Sequence, residues 1–332
     1  MPRAAAASEV HVAQAALDAL RRGNATDAIV AGVLVAAAAS PAVLLGPIQI
    51  LAGGTGTGLL AIDGRVRQPG LAAPRPRGFL ATDRVPEAAY IGASALPAAL
   101  AVALGSLGTS AMQRALGPAI SWARANAPER LIALNALARK GALGLTEEPI
   151  AVELLAIGGR AVGGLLTRDD LSTVRPTVER RTERSLGTSG VFRVPCSTEE
   201  SPEPRCVQVL ATCDSRGRVA IACYETSDDA VPIPALGLAA PRHAAPVMRG
   251  KRRAAPGTPC MAAAPMGLRV RSGAVEAAVG IARARNGEAA LEEVFEALDA
   301  SISTGHALAK ATGGYPVVLA ALQAPTRVIA RS

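Results

Sequence analysis

The chain has 332 residues, half of them apolar but only 2% aromatic, and a formal net charge of +8. That length supports one large domain or two modest ones, with Ala, Val and Leu filling the interior. Three Phe, three Tyr and one Trp give no stacking platform, and the Arg residues are scattered rather than striped, so no nucleic-acid partner is expected.

In chain order, MPRAAAASE has one Arg and a short Ala run, which Glu9 ends before an export signal can form. Ser8 to Arg22 reads as a helix with Val12, Ala16 and Leu20 on one face, stopped at Gly23. Asn24 then caps a second helix, Ala25 to Ala39, with Asp27 at N3 near the positive end of its dipole. This helix is apolar nearly all round, as a helix between two layers should be. The uncharged run continues to Ala52, but Pro41, Gly46 and Pro47 divide it into a helix and a strand, so no membrane span is expected.

Ile48 to Ala52 and Leu59 to Ile62 read as two strands around an exposed Gly-Thr turn. No Lys-Ser or Lys-Thr follows those glycines, and no helix opens after them, so a phosphate-binding loop is not expected. After an extended connector come helices at Ala95 to Leu104 and Ser110 to Arg124, with Trp122 in the core. Gly164 to Leu171, GLLTRDDL, contains a capping box with Thr167 as N-cap and Asp170 at N3. The density of charge, Ser and Pro marks Thr188 to Pro204 as loop.

Val207 to Tyr224 reads as a β-hairpin turning at Asp214-Ser215-Arg216-Gly217, where the Gly supplies a positive φ. Ala274 to Arg285 and Glu288 to Ser301 read as amphipathic helices parted by Asn286-Gly287. Pro316 to Leu322 and Arg327 to Ala330 close the chain as strands.

The five Cys have no CxxC spacing, so no metal site and no cofactor are expected. Cys196 and Cys206 bracket an acidic loop and would pair in an oxidising compartment. With no export signal, free thiols in a reducing cytoplasm are the expectation.

Several of these stretches together resemble the γ-glutamyltransferases. They are LDALRRGNATDAIVAGVLVAAAASP, the Asp63-Gly64-Arg65 strand end, LGPAISWAR, GLLTRDDL, and the hairpin with Asp214, Gly217 and Tyr224. The resemblance implies an α+β, N-terminal-nucleophile hydrolase architecture: two stacked antiparallel sheets between helical layers, αββα. It divides one domain, 1–332, into a large-subunit-like part (1–187), a linker (188–206) and a small-subunit-like part (207–332), with a large block of the family's bigger subunit absent.

In that family a Thr freed by self-cleavage attacks γ-glutamyl amides such as glutathione, and an Arg holds the substrate's α-carboxylate. Here the nucleophile position holds Val207, the next Thr position Gln208, and the substrate-contacting Ser pair Pro259 and Cys260. Only Ser272-Gly273-Ala274 stands where a Gly-Gly-Ser motif would supply oxyanion donors. Arg65 alone falls on a matching position and is expected to keep an anion-binding geometry. The resemblance thus points to a shortened, non-catalytic member acting as a binding or assembly module. Its expected partners are a protein, a second copy of the chain, or a γ-glutamyl or other carboxylate.

The alternative is a self-processing amidohydrolase using Cys206, since a thiolate is the stronger nucleophile. Strand alternation aims Cys206 away from the face of Val207 unless a bulge intervenes. Cys213 shares that face but lies at the far end, and Thr212 has the wrong parity. None of His11, His243 or His306 sits in a triad motif.

Overall fold

The computed structural model describes residues 3–182 (except 55 and 75), 189–194, 207–282 (except 273), 287–300, 317–321 and 327–331. The chain opens with strand β1 (Ala4–Ala7) and helices α1 (Val10–Leu20) and α2 (Ala25–Ala39). The predicted Asn24 cap is present, and it closes as a reciprocal capping box with Asp27. Asn24 Oδ1 accepts from the amides of Thr26 and Asp27, and Asp27 Oδ2 accepts from the Asn24 amide. Asp27 also accepts from the amides of Thr109 and Ser110 and from the Thr109 hydroxyl. One buried carboxylate thus starts α2 and fixes the Thr109 segment beside it.

Strands β2 (Ile48–Gly54) and β3 (Gly58–Gly64) form the expected hairpin, with Gly56 and Gly58 at positive φ in its turn. Five helices follow: α3 (Leu96–Leu107), α4 (Met112–Asn126), α5 (Leu131–Lys140), α6 (Ile150–Gly158) and α7 (Arg168–Thr173). Thr167 and Asp170 cap α7 reciprocally, as predicted. Trp122 is only half-buried, stacked against His11 at 6.3 Å between ring centroids.

The remaining strands are β4 (Thr177–Arg181), β5 (Ser189–Arg193), β6 (Val207–Cys213), β7 (Arg218–Glu225), β8 (Ala230–Ile233), β9 (Leu238–Pro241), β10 (Met266–Arg271), β11 (Ala274–Ile281), β12 (Val317–Ala321) and β13 (Arg327–Arg331), with α8 (Gly287–Ala300) after β11. Two expectations are corrected here. Residues 189–193 are not loop but the strand β5, paired antiparallel with β10. Ala274–Ile281 is not a helix but a strand between β10 and β12, because its small apolar residues lie flat between two cores.

One sheet runs β1-β6-β7-β2-β3-β4 and the other β13-β12-β11-β10-β5, all pairs antiparallel. The first interleaves strands from both sides of the 188–206 segment. Alternation along each strand divides the side chains among three cores. Ile48, Ile50, Leu60, Ile62, Leu210 and Tyr224 face the helices. Leu51, Leu59, Val209, Ala211 and Ile221 meet Leu268, Val270 and Ala278 between the sheets. Val279 and Ile281 pack beneath Leu291, Val294 and Phe295 of α8. The layers are therefore αββα, an N-terminal-nucleophile-hydrolase-like sandwich.

The β6–β7 hairpin is pinned to the start of α2. Asp214 Oδ1 accepts from the amides of Arg216 and Arg218 to shape the turn, where Gly217 has φ 77°. At the same place, the Thr212 hydroxyl donates to the Ala25 carbonyl at 2.8 Å.

Candidate functional site

Val207 starts β6 as a buried residue, and its side chain belongs to the core between the sheets. Pairing across the sheet places Val209, Cys223, Gln49, Asp63 and Thr177 in one row on that face, with Val207 opposite Glu225 beside it. The strands thus gather the polar residues Gln49, Asp63, Thr177 and Glu225 at the Val207 end of a largely apolar interface.

Arg65 follows Asp63 by two residues, so both lie at this end of β3. The guanidinium grips Asp63 through two parallel bonds, Nε to Oδ1 and Nη2 to Oδ2, each 2.8 Å. Nη1 donates to the Met261 carbonyl at 2.8 Å. Arg65 thus makes a bidentate pair, and the carboxylate it holds is the chain's own. Arg67 joins the cluster through Nη2, which donates to the Asp63 carbonyl at 2.6 Å and to Thr177 Oγ1 at 3.2 Å. Burial pushes the Arg67 guanidinium down from its ordinary value, and Asp63 offsets part of that shift.

A strap closes the cleft from the outside. The Gln68 amide donates to the Thr258 carbonyl and the Cys260 amide to the Val66 carbonyl. The Ala264 amide donates to Gln49 Oε1. Pro259 and Cys260, at the positions of the family's Ser pair, thus do lie over the arginines. Beneath the strap, Gln49, Arg65, Val207, Cys223, Tyr224, Glu225 and Met261 line a pocket whose cavity volume is about 20 Å³. A single water fills such a space.

The structure places Val207 and Arg65 in the lining of one pocket. Cys206 and Cys196 lie outside the described residues. Ser272 and Ala274 flank the β10–β11 turn. Val275, next to it, packs against Gly53, which pairs with Val219 at the end of the sheet away from Val207. The residues that sequence reasoning missed are Gln49, Asp63, Glu225 and Arg67. Gln49 was one readable signal, a lone amide in an apolar strand; its Nε2 is buried without a hydrogen-bond partner among the described residues.

Two thiols border the site. Cys223 is fully buried, and burial pushes its pKa far up. Burial raises Cys260 to about 12, although Arg67 pulls it down. A thiol held protonated is a poor nucleophile. Tyr224 donates to Glu9 Oε2 at 3.0 Å, and burial followed by that carboxylate raises its pKa well above the ordinary value. Among the described residues, no group of three or more His, Cys, Asp or Glu side chains could hold a metal ion, and no helix is long and apolar enough to cross a membrane.

No protein-family model and no curated protein matches the chain. Solved structures do. Cephalosporin acylase from Bacillus halodurans superposes with a TM-score of 0.71 at 14% identity, covering 93% of this chain and 83% of that one. The LmbA2991T421A structure superposes at 0.69 with 11% identity, covering 99% of this chain and 97% of that one. A γ-glutamyltranspeptidase from Pseudomonas nitroreducens aligns over 53% of this chain and 66% of its own, at 22% identity and a TM-score of 0.44, too partial to bear on the reading. Identities this low establish the shared fold and leave the chemistry to the residues themselves.

Proposed function

We propose that this chain is a γ-glutamyltransferase-like protein of the N-terminal-nucleophile hydrolase fold that serves as a non-catalytic binding or assembly module. The observation that carries the reading is Val207, an alkyl side chain at the head of β6, in a pocket of about 20 Å³. An acyl-transfer site needs a nucleophile, a base and oxyanion donors together. Valine supplies no attacking atom, and losing one oxyanion donor alone costs about 2.7–4 kcal/mol of transition-state stabilisation. A γ-glutamyl carboxylate would also have to displace the Met261 carbonyl from Arg65 and lift the strap. The closed cleft therefore favours partners at the outer surface, another protein or a second copy of the chain.

The test is turnover of a γ-glutamyl anilide together with denaturing mass spectrometry. One intact chain and no product release are expected. Fragments split before Cys206, with product formed above a Cys206→Ala control, would overturn the reading in favour of a cysteine amidohydrolase.

A further inference from the structure

A second, larger concavity shares no lining residue with the Val207 pocket. Its cavity volume is about 520 Å³, and Arg84, Val85, Pro86, Glu87, Tyr90 and Arg242 line it. That size lies within the roughly 300–1,000 Å³ typical of small-molecule sites.

The walls are fixed by the fold. Glu87–Tyr90 is a single 3-10 turn, in which residues three apart eclipse, so Glu87 and Tyr90 project from one side. Ala88 and Ala89 are buried on the other. The Tyr90 carbonyl accepts from the Ala244 amide at 2.8 Å, and Ile91 bridges to Arg242, so both edges of the pocket are tied to one backbone frame. Pro86 is seated against Gly163, where an added Cβ would stand 2.7 Å from Pro86 Cγ.

The charges are arranged asymmetrically. Arg242 is shared between two carboxylates, Glu87 at 2.5 Å and Asp229 at 3.0 Å. Both Nη groups are thus engaged and hold Glu87 aside, while Nε is buried with no hydrogen-bond partner among the described residues. Arg84 forms no ion pair or hydrogen bond through its side chain among the described residues, and neither does the Tyr90 hydroxyl. What remains for a ligand is one unpaired guanidinium, one phenol donor, and an apolar wall made by Val85, Pro86 and the Tyr90 ring.

We propose that this pocket binds a small organic anion, a carboxylate or phosphate monoester carrying an apolar body. The guanidinium takes the anionic head bidentately. The phenol donates to a second oxygen, and the apolar body covers Val85 and Pro86. The proposal stands apart from the reading of the Val207 cleft, because neither Arg84 nor Tyr90 touches that cleft.

Isothermal titration with benzoate and with phenyl phosphate, against benzyl alcohol as a neutral control, tests it. Saturable binding of at least one anion and none of the alcohol is expected, with the stronger anion identifying the head group. Arg84→Ala should weaken binding about tenfold, the worth of one charge-assisted contact, and Tyr90→Phe by a smaller factor. Arg84 is exposed and unpaired, so its truncation leaves the fold intact. Failure of both anions to saturate, or wild-type affinity in both variants, would overturn the proposal, and neither result touches the γ-glutamyl assay.

Discussion

Asp63 is where two arginines of the cleft converge, and its burial sets the consequences. A carboxylate removed from water is tolerable only while paired, and Arg65 supplies the better-aligned partner; Arg67 Nη2 stands 3.6 Å from Asp63 Oδ2. Arg65→Ala should therefore lower unfolding stability by about 3 kcal/mol, read from urea denaturation, because it leaves a buried charge half-compensated. A change below about 0.5 kcal/mol, the usual size at surface sites, would mean that Arg65 is dispensable to the fold and kept for a ligand. The sequence held the clue to this pairing. Asp63 and Arg65 are two apart at a strand end, and side chains two apart share a face. The carboxylate that pairs with Arg65 in the structure is the internal one beside it in sequence.

At the scale of elements, legibility followed local chemistry. The Asn24 cap and the Thr167 capping box were readable because three or four neighbouring residues make the whole interaction. The β6–β7 and β2–β3 hairpins were readable from their glycine turns. Residues 274–281 were not, because alanines and valines in a row fit a helix or a doubly buried strand equally well. What decides for the strand is β10 on one side and β12 on the other, contacts no local pattern encodes. Gly280 shows how close the packing is. A Cβ there would stand 2.8 Å from Val209 Cγ1 and 2.9 Å from Ile221 Cδ1. Gly280→Ala should therefore cost about 1–3 kcal/mol through overpacking, although alanine suits a strand better than glycine. Equilibrium denaturation checks this, and a neutral or stabilising result would show that the sheets can part locally without cost.

Across the whole molecule, burial holds three thiols and one phenol in their neutral forms, and these shifts all have one sign. Burial raises Cys213 to about 11 and Cys260 to about 12, and it also pushes Cys223 far up and Tyr224 well above its ordinary value. In the unfolded chain the same thiols release protons near their ordinary value of 9.0, and the tyrosine near 10.0. Between the unfolded and folded values the unfolded state binds fewer protons, so stability falls as pH rises. The contribution is complete below about pH 9 and is lost progressively above it, through pH 11 for Cys213. The urea midpoint should therefore decline steadily between about pH 9 and about pH 11, with no matching decline from these groups between about pH 7 and about pH 8. N-ethylmaleimide at pH 8 should leave Cys213 and Cys223 unmodified until denaturant is added, since both are buried and protonated in the folded chain. A midpoint that stays flat to about pH 11, or native-state labelling of Cys223, would show that the core between the sheets opens far more readily than its packing implies.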